Sequence, residues 1–223
     1  MSRVLEDRLA ASPALLDEVI GVVLAGGLGR RLGGSKAERK LAGRPLLVHV
    51  ADRLAPQLVR GNLLLNANDA GAWAALGLPI IADTVDGRPG PLAGVLAAMQ
   101  ASGSRVRWVI SAPTDTPFLP LDLVTRLMDQ QHDSGAEIVL AASDAGPCQV
   151  CGLWSVTLAA DLAHCLAIGQ NKVMDFVERY AMSSVHFPRQ AVGQSSVDPF
   201  FNINTADDLA QAERLLSAET RWT

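Results

Sequence analysis

Hydrophobic positions along the chain alternate between short continuous runs and longer stretches spaced three or four residues apart. Val19-Ile20-Gly21-Val22-Val23-Leu24-Ala25 is a continuous, largely β-branched run, the pattern of a strand covered on both faces. Behind Pro45, Leu46, Leu47, Val50 and Leu54 recur at helical spacing. Leu63 to Leu65 reads as a second strand ending in Asn66-Ala67-Asn68, and Pro79 to Asp83 as a short extended piece. Gly90-Pro91-Leu92-Ala93-Gly94 opens a helix through Leu96 and Met99. Arg107 to Ala112 is a strand that stops at Pro113-Thr114-Asp115-Thr116-Pro117. A helix from Asp122 follows, then strands near Glu137 to Ala142 and Cys151 to Ser155. The remainder holds helices near Leu158 to Leu166 and Val173 to Tyr180, a short strand near Val185, and a final helix. Thr205 followed three residues later by Asp208 has the form of a capping box for that helix.

Strands alternating with helices predict an α/β fold with a mostly parallel central sheet and helices on both faces. In such sheets ligands bind beyond the carboxyl ends of the strands. Here those ends carry Leu24-Ala25-Gly26-Gly27, Asn66-Ala67-Asn68, Asp83 and the Asp115 segment, so the most polar and glycine-rich strand ends converge on one side. Residues 1–19, with weak helical periodicity, read as a leader outside the chemistry, either a frayed helix or a flexible arm. Residues 20–217 read as one domain, its first part binding a nucleotide and its later part an acceptor.

At 223 residues the chain suits one sizeable α/β domain, and 49% hydrophobic with 4% aromatic content favours helices on a parallel sheet over an aromatic-rich sandwich. The net charge of −4 supplies no global field for nucleic acid or an anionic membrane, so neither is expected as a partner. An anion must instead be held locally. Three cysteines make no complete disulfide framework, which points to a reducing, cytoplasmic setting. No apolar run reaches the roughly 18–20 residues that span a bilayer, and the first residues lack the pattern of a secretion signal.

The stretch from Val22 to Lys36, VVLAGGLGRRLGGSK, carries the strongest chemical signal. Gly26, Gly27 and Gly29 allow close backbone approach, and successive N–H groups in such a turn form an anion-binding concavity. Arg30, Arg31 and Lys36 add donors suited to a triphosphate. A P-loop requires Gly-Lys-Ser/Thr, whereas Lys36 lies between Ser35 and Ala37; the dinucleotide fingerprint requires glycine where Leu32 stands. Neither pattern is met.

Asp115, just past a buried strand and held between prolines, is placed to bind Mg²⁺, a hard cation that takes carboxylate, water and phosphate oxygens. The structural alternative is an N-cap or turn aspartate. Asn66 and Asp83, at two more strand ends, can read a base or sugar, or simply form turns. Gly90 and Gly94 place bare backbone at a helix start, facing a ligand or a closely packed strand.

LAGG-x-G-R-R-x-GG-x-K, GRPLL, NAN, IAD, GPLAG, PTDTPFLP and FFNINT-x-DDL occur in an order that resembles the bacterial molybdenum cofactor guanylyltransferases, from Gly21 to Leu209. The first motif alone marks only the wider nucleotidyltransferase superfamily; the ordered set is more specific. The resemblance implies a three-layer Rossmann-like nucleotidyltransferase fold. It implies transfer of GMP from Mg·GTP to the phosphate of molybdopterin, with release of pyrophosphate. It assigns Leu24, Ala25, Gly26, Gly27 and Lys36 to GTP, with Gly90 and Gly94 nearby, Asn66 and Asp83 to the nucleoside, and Asp115 to Mg²⁺. Arg31, Lys36 and Asp115 become the catalytic set, and Asn202 and Asn204 the acceptor side. Transient contacts with proteins that deliver molybdopterin or mature molybdoenzymes are expected partners. A cytidylyl or sugar-phosphate transferase, or a non-catalytic nucleotide-binding regulator, is the alternative.

Where such enzymes often carry Asp-Lys, this chain has Ser35-Lys36-Ala37-Glu38-Arg39-Lys40, which leaves Lys40 as a second candidate for the phosphates. Glu38, Arg39 and Lys40 read otherwise as a solvated face. Cys148 and Cys151 form a C-x-x-C, yet in a regular strand positions three apart face opposite sides, which argues against joint chemistry. The four histidines show no ligand spacing, and the four tryptophans are scattered as packing residues.

Overall fold

The computed structural model describes residues 16–25, 36–85, 90–192 and 195–219. The elements in order are β1 (Val19–Leu24), β2 (Lys40–Leu41), β3 (Arg44–Pro45), α1 (Leu46–Leu54), β4 (Leu63–Asn66), β5 (Ile80–Ile81), α2 (Pro91–Ala101) and β6 (Trp108–Pro113). They continue with α3 (Leu123–Ser134), β7 (Ile138–Ser143), β8 (Gly146–Ser155), α4 (Ala159–Ala167), α5 (Val173–Val177), β9 (Met182–His186), β10 (Gln190–Val192), β11 (Ser195–Val197) and α6 (Ala206–Glu219).

Seven strands form one sheet in the order β5-β4-β1-β6-β8-β7-β9. β5, β4, β1 and β6 run parallel, β7 pairs parallel with β9, and β8 is antiparallel to both of its neighbours. The expected mostly parallel sheet is therefore present, with one reversed strand. That reversal follows from the tight connection between β7 and β8, which has no room for a crossover helix.

β1 shows why the sheet is covered twice. Val19 and Val23 join α1 and α3 in one apolar layer, while Ile20, Val22 and Leu24 join α2, α4 and α5 in the other. Successive side chains on a strand point to opposite faces, so a continuous apolar run needs cover on both. Gly21 keeps the first layer close: a Cβ there would come within 2.5 Å of Leu58 and 3.0 Å of Leu63. α2 is buried at every position from Leu92 to Met99, as suits a helix wedged between the sheet and α4.

A third, smaller cluster sits apart from these layers. Leu41 and Leu46 meet Phe118, Val192, Val197, Ile203 and Ala212, which joins the β2–β3 hairpin, the β10–β11 hairpin and α6 to the segment after Asp115. Both hairpins were absent from the pattern-based expectation, because strands of two or three residues carry no period to detect. The β2–β3 turn runs through Ala42 and Gly43 at φ 49° and 78°, the mirror-image turn usually signalled by Asn-Gly or Asp-Gly. Arg39 also leaves the purely solvated face expected of it, since its Nη1 donates to the Asn204 carbonyl at 3.3 Å.

Two other boundaries differ from expectation. β8 begins at Gly146, ahead of the predicted Cys151, and a bulge opens where Leu140 and Ala141 pair with Gly152 and Cys148. α5 ends at Val177 short of the predicted Tyr180, its carbonyl accepting the Tyr180 amide in a tighter turn at 3.2 Å. The capping box forms as read: the Asp208 amide donates to Thr205 Oγ1 at 3.1 Å, and the Thr205 amide to Asp208 Oδ2 at 2.8 Å. Among the described residues no helix is long and apolar enough to cross a membrane.

Candidate active site

The strand order reverses at β1, with β4 on one side and β6 on the other. Such a switch point leaves a crevice beyond the carboxyl ends of the strands. Leu24, the last residue of β1, lies opposite both Asn66 of β4 and Pro113 of β6. The ladder extends one step further, as the Ala25 amide donates to the Asn66 carbonyl at 2.9 Å. Three candidate segments thus leave the sheet at the same level. Two inter-strand spacings, roughly 10 Å, separate the Asn66 edge from the Asp115 edge. That span suits a nucleotide lying across β1.

On the first edge, Asn66 is buried, and its amide donates to Asp83 Oδ1 at 2.9 Å. Asn68 donates from its own amide to Asp83 Oδ2 at 2.9 Å, and its side-chain oxygen accepts the Asp83 N–H at 2.9 Å. Both carboxylate oxygens therefore hold an asparagine, and the three side chains form one clamp. Asn68 was not among the expected site residues. The signal was present in Asn-Ala-Asn, since residues two apart on an extended chain share a face. Gly94 makes this arrangement possible: a Cβ there would collide with Asn66 Oδ1 and lie 2.6 Å from Leu24 Cδ2. Gly90 precedes the first residue of α2 with φ 73°, a left-handed conformation that side chains resist.

On the second edge, Asp115 follows β6 at 8% exposure, between buried Thr114 and Thr116. Thr116 Oγ1 donates to the Pro113 carbonyl at 3.1 Å and closes the turn. The chain beyond is anchored by α1 and the residues after it: Arg53 donates to the Leu119 carbonyl, and Gln57 Nε2 to the Pro120 carbonyl at 2.8 Å. Gln57 Oε1 also accepts the Val124 amide at 2.9 Å, fixing the start of α3. These contacts fix the backbone on either side of Asp115.

The later chain returns to the same edge. The Ile203 amide donates to the Asp115 carbonyl at 2.9 Å, which brings the exposed Asn202 and Asn204 to the turn. Asp198 steers this return, accepting from Ser143 Oγ at 2.6 Å at the end of β7 and from the Phe200 amide at 2.8 Å. Neither Asp198 nor Ser143 had been singled out, because their pairing joins distant segments and leaves no local signature.

Gly26, Gly27 and Arg31 lie outside the described residues, as does the Lys36 side chain; the Lys36 backbone opens a single turn, Lys36–Glu38. Lys40 is exposed on β2. A cavity of about 620 Å³ at the opposite end of the sheet is lined by Glu18, Arg105, Arg107 and Thr157, and Glu18 approaches Arg107 there at 3.8 Å. It is remote from every strand end described above.

Comparison with known proteins agrees with this geometry. Residues 21–185 match the family model described as the MobA-like NTP transferase domain. A molybdenum cofactor guanylyltransferase of Rhodopseudomonas palustris (strain BisB5) is 47% identical over 206 residues, covering 90% of this chain and 95% of the relative. Among solved structures, molybdopterin-guanine dinucleotide biosynthesis protein A from Archaeoglobus fulgidus superposes with a TM-score of 0.67 at 25% identity, over 88% of this chain and 98% of that one. Rv0371C from Mycobacterium tuberculosis, solved in complex with manganese, shares the fold with a TM-score of 0.65 at 19% identity, over 90% and 99% of the two chains. With the switch-point crevice, the Asn66–Asp83 clamp and Asp115 at its far edge, the chain belongs to the molybdenum cofactor guanylyltransferase family of MobA-like NTP transferases.

Proposed function

We propose that this protein transfers GMP from GTP to the terminal phosphate of molybdenum-bearing molybdopterin, releasing pyrophosphate. The observation that carries the reading is the placement of a polar clamp and a buried carboxylate on either side of β1, at one level of the sheet. The clamp supplies amide donors and carboxylate acceptors for a base and ribose. The backbone at Leu24 and Ala25 lies between the two edges where the phosphates would run. Arg31 and Lys36 are the cations assigned to the triphosphate.

The Asp115 edge fits Mg²⁺. Among the described residues no group of three or more acidic, cysteine or histidine side chains could enclose a metal. One or two protein carboxylates completed by phosphate and water oxygens is the usual way a protein holds Mg²⁺, which dehydrates reluctantly. Asn202 and Asn204 add neutral oxygen and amide groups on the acceptor side. When bound, the ion would neutralise charge on the α-phosphate and the leaving pyrophosphate.

The acceptor is already an anionic phosphate, so its oxygen attacks the α-phosphorus without surrendering a proton to a base. The bond to the bridging oxygen breaks and pyrophosphate leaves with its electron pair. The protein's task is alignment and charge neutralisation, which suits a site of amides, backbone and one carboxylate. Incubation with molybdopterin, Mg²⁺ and each of the four nucleoside triphosphates tests this. Pyrophosphate release with GTP alone is expected; release with CTP alone, or none with any, overturns it.

A further inference from the structure

We propose that Cys148 and Cys151 are an oxidisable dithiol, which a hydroperoxide converts to a disulfide inside the β8 bulge. Leu140 of β7 pairs with Gly152, yet the next residue, Ala141, pairs with Cys148. Gln149, Val150 and Cys151 therefore stand opposite no residue of β7. A regular strand would send positions three apart to opposite faces. The bulge cancels that alternation and leaves both side chains in the same apolar layer of the sheet.

Hydrogen bonding from Cys151 and the neighbouring backbone holds the Cys148 thiol below its ordinary range against burial, while Cys148 and burial push Cys151 well up. The bulge is also tethered: Ser111 Oγ donates to the Val150 carbonyl at 2.8 Å and accepts Trp154 Nε1 at 2.8 Å.

Exposure separates the two roles. Cys148 is half-buried, whereas Cys151 is fully buried at 0%. Cys165 is no alternative partner: it belongs to α4 in the apolar layer on the other face of the sheet and contacts Arg179. The step balances as follows. The Cys148 sulfur attacks one peroxide oxygen, becoming a sulfenic acid as water leaves. The Cys151 sulfur then displaces that hydroxyl, which leaves as a second water. Two thiols and one hydrogen peroxide give one disulfide and two waters.

The test uses the reduced full-length protein treated with hydrogen peroxide, alkylated, and cleaved after Trp154 to separate the pair from Cys165. The peptide holding Cys148 and Cys151 should lose two hydrogen atoms and take no label, and dithiothreitol should restore both thiols. Cys148 in C151S should gain one oxygen, captured by dimedone, at least ~10-fold faster than Cys165 is oxidised. Alkylation of both thiols after peroxide, a bond to Cys165 or to a second chain, or equal rates for Cys148 and Cys165 would overturn the proposal. The wild-type mass reading stands whether or not either variant folds, and it is independent of nucleotide transfer.

Discussion

The Ile203 amide donates to the Asp115 carbonyl across 2.9 Å, so the residue between the two late asparagines is bonded to the backbone of the candidate metal carboxylate. The backbone position of Asp115 is thus tied to the late segment of the chain. Asp115→Asn keeps the shape and removes the charge. The rate of pyrophosphate release should fall at least ~10²-fold, about 2.7 kcal/mol of transition-state stabilisation. The melting temperature should move by no more than about 3 °C, given that no backbone contact changes. A near-wild-type rate would remove Asp115 from the mechanism.

Gly94→Ala places a methyl group against Asn66 Oδ1 and Leu24. Overpacking of this kind costs about 1–3 kcal/mol. Because the obstructed atom belongs to the clamp proposed to hold the nucleoside, KM for GTP should rise alongside the loss of stability. Denaturant unfolding and steady-state kinetics on the same preparation separate the two. An unchanged KM would place Asn66 outside nucleotide recognition.

Asp83 and Asn68 can be distinguished from each other. Asp83→Ala strips the acceptor from two amides, while Asn68→Ala leaves Asn66 bonded to Asp83. The first should raise KM for GTP by ~10-fold or more, on the scale of a lost charged hydrogen bond, and the second by less. kcat should change little in both. Equal effects would mean that the clamp works only as a unit.

Tyr180 supplies a pH-dependent signal. Its hydroxyl donates to Asp161, and burial together with this bond pushes its pKa from 10 up to about 12. The folded protein then holds the phenolic proton more tightly than the unfolded chain. That stabilisation is complete below about pH 10 and is lost as pH rises toward 12. Tyr180 is the only tyrosine in the chain, so phenolate absorbance follows it alone. Y180F should show a shallower fall in unfolding free energy than wild type across that window, and identical slopes would contradict the assignment.

The elements that place the site were legible where period or punctuation was strong. The run from Val19 to Ala25 announced a strand covered on both faces, and Pro45, Gly90 and Thr205 marked helix starts that the structure places within a residue. Asn66, Asp83 and Asp115 could be found because each follows a strand whose carboxyl end must face the ligand. What escaped was non-local or too short. The Ser143–Asp198 bond joins two segments with no shared pattern, and the β2–β3 hairpin uses Ala-Gly where the turn usually advertises itself with Asn or Asp. The β8 bulge escaped because alternation was assumed to continue through it. Glycine-loop residues Gly26, Gly27 and Arg31 remain assigned by resemblance.

The return of the Asp198–Asn204 segment to Asp115 imposes an order on synthesis. A nascent chain that has emerged as far as β9 already contains every strand of the main sheet, including the clamp of Asn66, Asn68 and Asp83. It still lacks Ile203, so the Asp115 carbonyl has not yet received that amide, and the cluster around Phe118 waits for α6. The clamp edge of the crevice can therefore take shape on the ribosome before the returning segment exists. The Asp115 turn gains its Ile203 bond only once the residues leading into α6 have been made.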